Sequence, residues 1–139
     1  MINLKIEVYL MCRDRIKYAI DCIKSIESQS FKNFKLIISD NSTSQKFSEV
    51  ITNEFPHIEL RQRIPSLSAV DHQNLILDEV RSDYFVVFHD DDLMMPDFLN
   101  TMMDYIQNYP QCSAIAPNAL VIKNDVFTKI KFAKKLRHK

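Results

Sequence analysis

Three consecutive carboxylates, Asp90-Asp91-Asp92, are the side chains whose type and spacing point most directly to chemistry. Packed this closely, they repel one another unless a cation or water screens them. Hard divalent ions such as Mg²⁺ and Mn²⁺ take carboxylate oxygens and keep coordination positions open for phosphate. The bland alternative is a solvated loop whose last acid caps the next helix. Placement favours the metal reading. Tyr84-Phe85-Val86-Val87-Phe88 carries no charge and reads as a strand buried on both faces of a parallel sheet. Pro96 stands where a helix can start, with Asp97 in its first turn at the positive end of the dipole. The acids then fall at the carboxyl end of a central strand, where open α/β sheets bind ligands.

The elements that must position these acids alternate along the chain. Ile6 to Met11 is the expected first strand, and Asp14 can cap the helix after it. Ile16, Ala19, Ile20, Ile23 and Ile26 recur at helical spacing, ending near Gln29. Phe34 to Ser39 reads as a second buried strand, followed by the polar loop Asp40-Asn41-Ser42-Thr43-Ser44. A helix with Phe47, Val50 and Ile51 inward runs to about Phe55, where Pro56 stops it. His57 to Arg61 is a short edge strand, and Ser66 or Ser68 starts a helix with Ala69, Ile76 and Val80 on one face. A helix from Pro96 to about Tyr109 and a strand from Ser113 to Ile122 complete the pattern. Alternation predicts an α/β fold of three layers, α/β/α, with a mostly parallel Rossmann-like sheet. The first and fourth strands are expected side by side at its centre. The turns at Cys12 to Arg15 and Asp90 to Asp92 then share a crevice onto which the Asp40 turn opens.

Composition bounds the rest. With 139 residues, 46% of them hydrophobic, one domain with a real core is expected. Cys12, Cys22 and Cys112 are odd in number and widely spaced, which argues against a disulfide framework and for a reducing compartment. No apolar run is long enough to span a bilayer, and no signal peptide precedes Lys5. From 123 to 139 there are seven Lys and Arg against Asp125 alone. Val126, Ile130 and Ala133 share a helical face there, so a basic helix or disordered arm is expected, able to touch anionic membrane or simply solvated. Glycine is absent, so turns with positive φ are expected on residues such as Asn33, Asn41, Asn53 or Asn124. His72 and His89 flank the expected crevice, but a lone histidine is more often packed or solvated than a ligand. Met94, Met95, Met102 and Met103 read as core filler.

The runs Val8-Tyr9-Leu10-Met11-Cys12-Arg13-Asp14-Arg15 and Gln29 to Ser42, with His72-Gln73-Asn74 and Asp90-Asp91-Asp92, resemble family 2 glycosyltransferases of the GT-A fold. The resemblance covers about the first 120 residues, with several motifs in order and spacing. It implies that Asp40 holds the nucleotide base, that Asn74 closes an Ala-Arg-Asn-type motif, and that Asp90 and Asp92 form an Asp-X-Asp metal motif. It implies nucleotide-sugar contacts at Met11, Arg13, Asp40, Asn74, Asp90 and Asp91, and a Mn²⁺ or Mg²⁺ ion at Asp92 and Asp90. Three positions depart from the pattern. Met11-Cys12-Arg13-Asp14 replaces Pro-Thr-Tyr-Asn, Gln73 replaces the arginine, and Asn41 replaces a glycine. Nothing after Asn118 resembles the acceptor half. The expectation is therefore a donor-binding domain over 1–122 and a basic tail over 123–139. Its donor would be a nucleotide-diphospho-sugar, a UDP-sugar first. Its acceptor would be an unknown glycan or lipid-linked molecule, with sugar transfer inverting and weak. No nucleic-acid partner is expected, and the expected place is the cytoplasm, peripheral to the membrane. Two rival readings stay open: a non-catalytic nucleotide- or partner-binding module, and a receiver or phosphatase with an acidic Mg²⁺ pocket. The latter folds place key acids after the first strand, where this chain offers Asp14 between Arg13 and Arg15.

Overall fold

Tyr9, Leu10, Ile37 and Ile38 are wholly buried because the two strands that carry them each have a neighbour on both edges. The computed structural model describes residues 5–123 and 126–129. The chain divides into two compact units, Met1–Asp104 and Tyr105–Lys139. The first alternates strands and helices as the hydrophobic periodicity predicts: β1 (Ile6–Cys12), α1 (Ile16–Glu27), β2 (Phe34–Asp40), α2 (Lys46–Glu54), β3 (Glu59–Gln62), α3 (Ala69–Glu79), β4 (Tyr84–His89) and α4 (Phe98–Asn108), whose last turn enters the second unit. The four strands form one parallel sheet in the order β3-β2-β1-β4. Chain progress from β1 to β3 runs one way across the sheet, and β4 returns to the far side of β1. Right-handed crossovers therefore put α1 and α2 on one face and α3 on the other, giving the expected three layers.

Alternation along the strands supplies both faces. Tyr9 and Ile37 meet Ile76 of α3, with Met11, Val80 and Val87 around them. Val8, Leu10 and Ile38 are buried on the opposite face, the side of α1, whose inward stripe is Ala19, Cys22, Ile23 and Ile26.

Several expectations need correction. β4 is not central; among the described residues it is the outer strand beside β1. Its residues are accordingly half-buried, with Phe85 45% exposed. The strand expected over 113–122 does not join this sheet: Leu120–Lys123 is β5, which pairs antiparallel with β6 (Val126–Lys129) in a hairpin of the second unit. Val126 therefore starts a strand rather than a basic helix, and 130–139 lie outside the described residues. Ala69 is exposed, and the inward face of α3 is made by His72 and Ile76. Ser68, not Ser66, caps that helix, its side chain accepting from the Asp71 N–H. α4 starts at Phe98, leaving Asp97 outside the first turn. Buried Gln29 takes over as its cap, accepting from the Leu99 N–H at 3.0 Å and donating to the Met95 carbonyl at 2.7 Å. Of the four methionines expected in the core, Met94 and Met103 are buried, while Met95 is exposed. Cys12 and Cys22 are buried free thiols and Cys112 is exposed. No described helix is long and apolar enough to cross a membrane.

The packing of α3 sets a testable contrast. Removing the Ile76 side chain leaves a cavity between helix and sheet, so Ile76→Ala is expected to cost about 2–5 kcal/mol in urea unfolding. Val70→Ala on the exposed side of the same helix should stay within about 0.5 kcal/mol. Equal losses would contradict the assignment of faces.

Candidate functional site

The carboxyl ends of β2, β1 and β4 lie side by side, and main-chain bonds continue the ladder just past each strand. The Asn41 N–H donates to the Cys12 carbonyl at 2.9 Å, the Asp90 N–H to the Met11 carbonyl at 3.2 Å, and the Arg63 N–H to the Asp40 carbonyl at 2.8 Å. Three turns are thereby held at one end of the sheet, and the one after β1 ties the other two together.

That turn is Arg13-Asp14-Arg15. The Arg13 N–H donates to Asp90 Oδ2 at 3.1 Å, and Arg15 Nη2 pairs with Asp90 Oδ1. Arg15 Nη1 donates to Asp91 Oδ2 at 2.7 Å. On the other side, the Asp14 N–H donates to Ser42 Oγ at 2.8 Å, and the Asp14 carboxylate accepts from the Thr43 N–H at 2.9 Å and from its hydroxyl. Asp14 has φ 57°, the one positive φ among the described residues. So the left-handed position falls on an aspartate, not on Asn33, Asn41 or Asn53. A short carboxylate that bonds its neighbours tolerates it. Asp14 therefore does not cap α1, which begins without a side-chain cap.

Asp40 is 3% exposed at the end of β2 and turns back on its own loop, Oδ1 accepting the Ser42 N–H at 2.9 Å. Burial raises its carboxyl above the usual range, and the Ser42 bonds oppose that. A groove of about 480 Å³ opens beside it, between Ser42 to Gln45 and the chain after β3, Gln62 to Ser66. Next to Asp40, Asn41 is bonded through both amide atoms to the Leu67 backbone. Beneath the groove lies a buried polar network. Arg63 donates to Ser39 Oγ at 2.9 Å and makes a two-pronged pair with Glu79 at 2.7 Å on each prong. Ser39 Oγ lies 2.7 Å from His72 Nε2. Ser39 Oγ accepts from Arg63 and still has its own proton to offer, an arrangement that suits a neutral His72 imidazole. Burial, followed by the Arg63 charge, pushes the His72 pKa down to about 4. Arg61 joins from β3, donating to Glu79 at 2.9 Å and lying over the Tyr9 ring.

The positions singled out in the sequence therefore separate. Asp40, Arg13, Asp90 and Asp91 come together through the turns just described. Met11 lies beneath them in β1, half-buried between Ser39 and His89 of the flanking strands. Asn74 does not join them: it is exposed on α3, two residues from buried His72 and so on the opposite side of the helix. Arg15, Asp14 and Arg63 were missed. Arg15 had a signal, because three adjacent acids in a crevice call for a cation and the neighbouring turn offers one.

The donor set meets a hard divalent ion only in part. Both Asp90 oxygens already accept hydrogen bonds, and Asp91 shares Arg15 with it. Burial raises the Asp90 carboxyl, opposed by the Arg13 N–H and Arg15. Asp92 is exposed, and its carboxylate makes no hydrogen bond or ion pair among the described residues. No group of three or more His, Cys, Asp or Glu able to hold a metal occurs among those residues. One or two carboxylates with phosphate and water completing the shell is, however, an ordinary Mg²⁺ arrangement. Asp92 fits that role, with Asp91 beside it.

Comparisons with known proteins agree with this fold. The sequence pattern described as Glycosyl transferase family 2 matches residues 8–133. No curated protein matches at a significant level. Among solved structures, S. aureus TarS superimposes with a TM-score of 0.64 at 18% identity, over 77% of this chain and 20% of TarS. TarS 1–349 in complex with UDP-GlcNAc gives 0.64 at 18% identity, over 77% of this chain and 32% of that one. A mannosyltransferase from Pyrobaculum calidifontis, in complex with GDP-Man and Mn²⁺, gives 0.60 at 15% identity, over 73% and 32%. The matched region is thus about a fifth to a third of the length of these neighbours.

The His72 network makes a pH prediction. The folded imidazole has a pKa of about 4 against the ordinary 6.5, so between these values the unfolded chain binds more protons. Stability contributed by the neutral ring is present above pH 6.5 and is lost as pH falls towards 4. At pH 5 the loss is about 2 kcal/mol. Chemical denaturation from pH 7.5 to 4.5 should show it, and His72→Gln should flatten this part of the profile. An unchanged profile in the variant would contradict the network.

Proposed function

The chain belongs to glycosyl transferase family 2, and on that premise we propose that it binds the nucleotide-diphospho-sugar donor of a sugar transfer. The observation that carries this reading is the convergence of Asp40, Asp90 and the Arg13-Asp14-Arg15 turn at the carboxyl ends of adjacent parallel strands, the usual ligand position of an open α/β sheet. The groove beside Asp40 takes the nucleoside, with the Asp40 carboxylate accepting from the base. The diphosphate extends towards Arg13 and the acidic turn, where Arg13 supplies a charge that offsets its own. Asp92, with Asp91, holds a Mn²⁺ or Mg²⁺ ion. When bound, that ion neutralises charge developing on the departing nucleoside diphosphate. Asp90 is a positioning residue, since its oxygens fix the β1–α1 turn. Asn74, exposed on α3, is given no contact in this crevice.

The donor is a UDP-sugar in this proposal. TarS 1–349 is described in complex with UDP and with UDP-GlcNAc, and the mannosyltransferase with GDP-Man and Mn²⁺. Transfer proceeds with inversion, a hydroxyl of a glycan or lipid-linked acceptor attacking the anomeric carbon from the face opposite the nucleotide.

Calorimetry and thermal melting with UDP test the binding claim. UDP with Mn²⁺ should raise the Tm more than either alone, since ligands of the folded state stabilise it by mass action. Asp92→Asn should remove the metal-dependent part and leave the unliganded Tm nearly unchanged. Asp40→Asn should weaken UDP binding by about tenfold or more, the worth of one hydrogen bond to a charged group. Equal UDP affinity in Mn²⁺ and in chelator would refute the metal role, and no UDP binding in either would refute the donor site.

A further inference from the structure

We propose that Arg15 is a displaceable counter-cation for the acidic turn, holding Asp90 and Asp91 in the metal-free chain and releasing Asp91 when a divalent ion binds. The proposal rests on the reading above, in which this turn takes the ion and a nucleoside diphosphate. Its ground is the uneven strength of the two pairs that one guanidinium makes.

The pair with Asp90 is protected. Asp90 is 1% exposed, and its second oxygen is fixed by the Arg13 N–H. Removing Arg15 from it would leave a buried carboxylate short of a partner, which is costly. The pair with Asp91 is open to water: the Arg15 side chain is 44% exposed and that of Asp91 47%. Pairs of that kind contribute little and exchange readily. Asp92 stands next to Asp91, its carboxylate with no hydrogen bond or ion pair among the described residues. An ion arriving at Asp92 is repelled by the Arg15 charge, and can take Asp91 through both oxygens only when Nη1 lets go of Oδ2.

Releasing Asp91 costs less when Nη1 has somewhere else to donate. A phosphate oxygen offers that, since a guanidinium pairs with phosphate through parallel N–H bonds. The ion and the diphosphate then favour the same released state of Arg15, and each strengthens binding of the other. The fork thus offsets part of the acids' charge without metal, and it makes metal binding stronger when the diphosphate is present.

Electron paramagnetic resonance of free Mn²⁺, titrated against the whole chain, tests this without any activity assay. In the absence of nucleotide, Arg15→Gln should bind Mn²⁺ about fivefold more tightly than the native chain, the order expected for one half-exposed ion pair. Adding UDP should tighten Mn²⁺ binding in the native chain and do so less in the variant. Arg15→Lys keeps the charge but loses the fork, so it should fall between the two. It also carries the test if Arg15→Gln does not fold. Unchanged or weaker nucleotide-free Mn²⁺ binding in a folded variant would overturn the proposal. Native Mn²⁺ binding indifferent to UDP would instead refute the donor-site reading, while the nucleotide-free comparison still judges Arg15. Absence of Mn²⁺ binding in every variant overturns both.

Discussion

A carboxylate buried at the end of β4 sets the form of this site. Asp90 is 1% exposed, and an ionised group in that position persists only if its oxygens are satisfied. Both are, by the Arg13 N–H and by Arg15, and both donors come from one short turn after β1. Satisfying Asp90 therefore fixes the backbone of that turn. With the turn fixed, Asp14 sits in the left-handed region and its carboxylate meets Thr43 of the next loop. One buried acid thus couples β4, β1 and β2 at the end where a ligand would bind.

The other half of the crevice is stiffened separately. Arg63 is tied to Asp40 through its backbone and to Ser39 and Glu79 through its side chain. Every buried side-chain polar atom among the described residues has a partner, so this network is complete. Complete polar networks of low dielectric rigidify what they hold. Here they hold the wall of the groove beside Asp40. Among the described residues the two halves are bonded at the β1 and β2 ends and where Asp14 meets Ser42 and Thr43. In the proposed reading the acidic turn responds to an ion while the wall of the groove keeps its shape.

Hydrophobic periodicity carried the fold well because burial decides it: the inward stripe of α1 and the runs of β1 and β2 appear where the spacing placed them. Position within the sheet was less legible. An uncharged run such as Tyr84 to Phe88 is compatible with a central strand, but pairing is a long-range property, and β4 has a described neighbour on one side only. Caps were misread for a similar reason. Asp14 is a locally plausible cap and Asp97 a plausible first-turn acid, yet a tertiary partner claimed the first, and Gln29, just past α1, bonds the start of α4 in place of the second. At the site, the acids were visible by type and spacing. Their partner Arg15 was signalled only by the need of crowded acids for a cation, and the choice of this arginine came from the third dimension, which brings Asp90 to it. Asn74 shows the converse: a motif match on α3 that the helix turns away from the crevice.

The central claim is that one crevice at the strand ends receives both the diphosphate and the ion. Backbone amide spectra recorded with UDP and a trace of Mn²⁺ test it directly, because a paramagnetic ion broadens nearby signals most. The account predicts broadening first at Arg13 to Arg15 and Asp90 to Asp92, with UDP-dependent shifts at Asp40 to Thr43 and at Arg63 and Ile64. Broadening centred on other acids, such as Asp71 and Asp78 of α3, with the three turns unaffected, would contradict it.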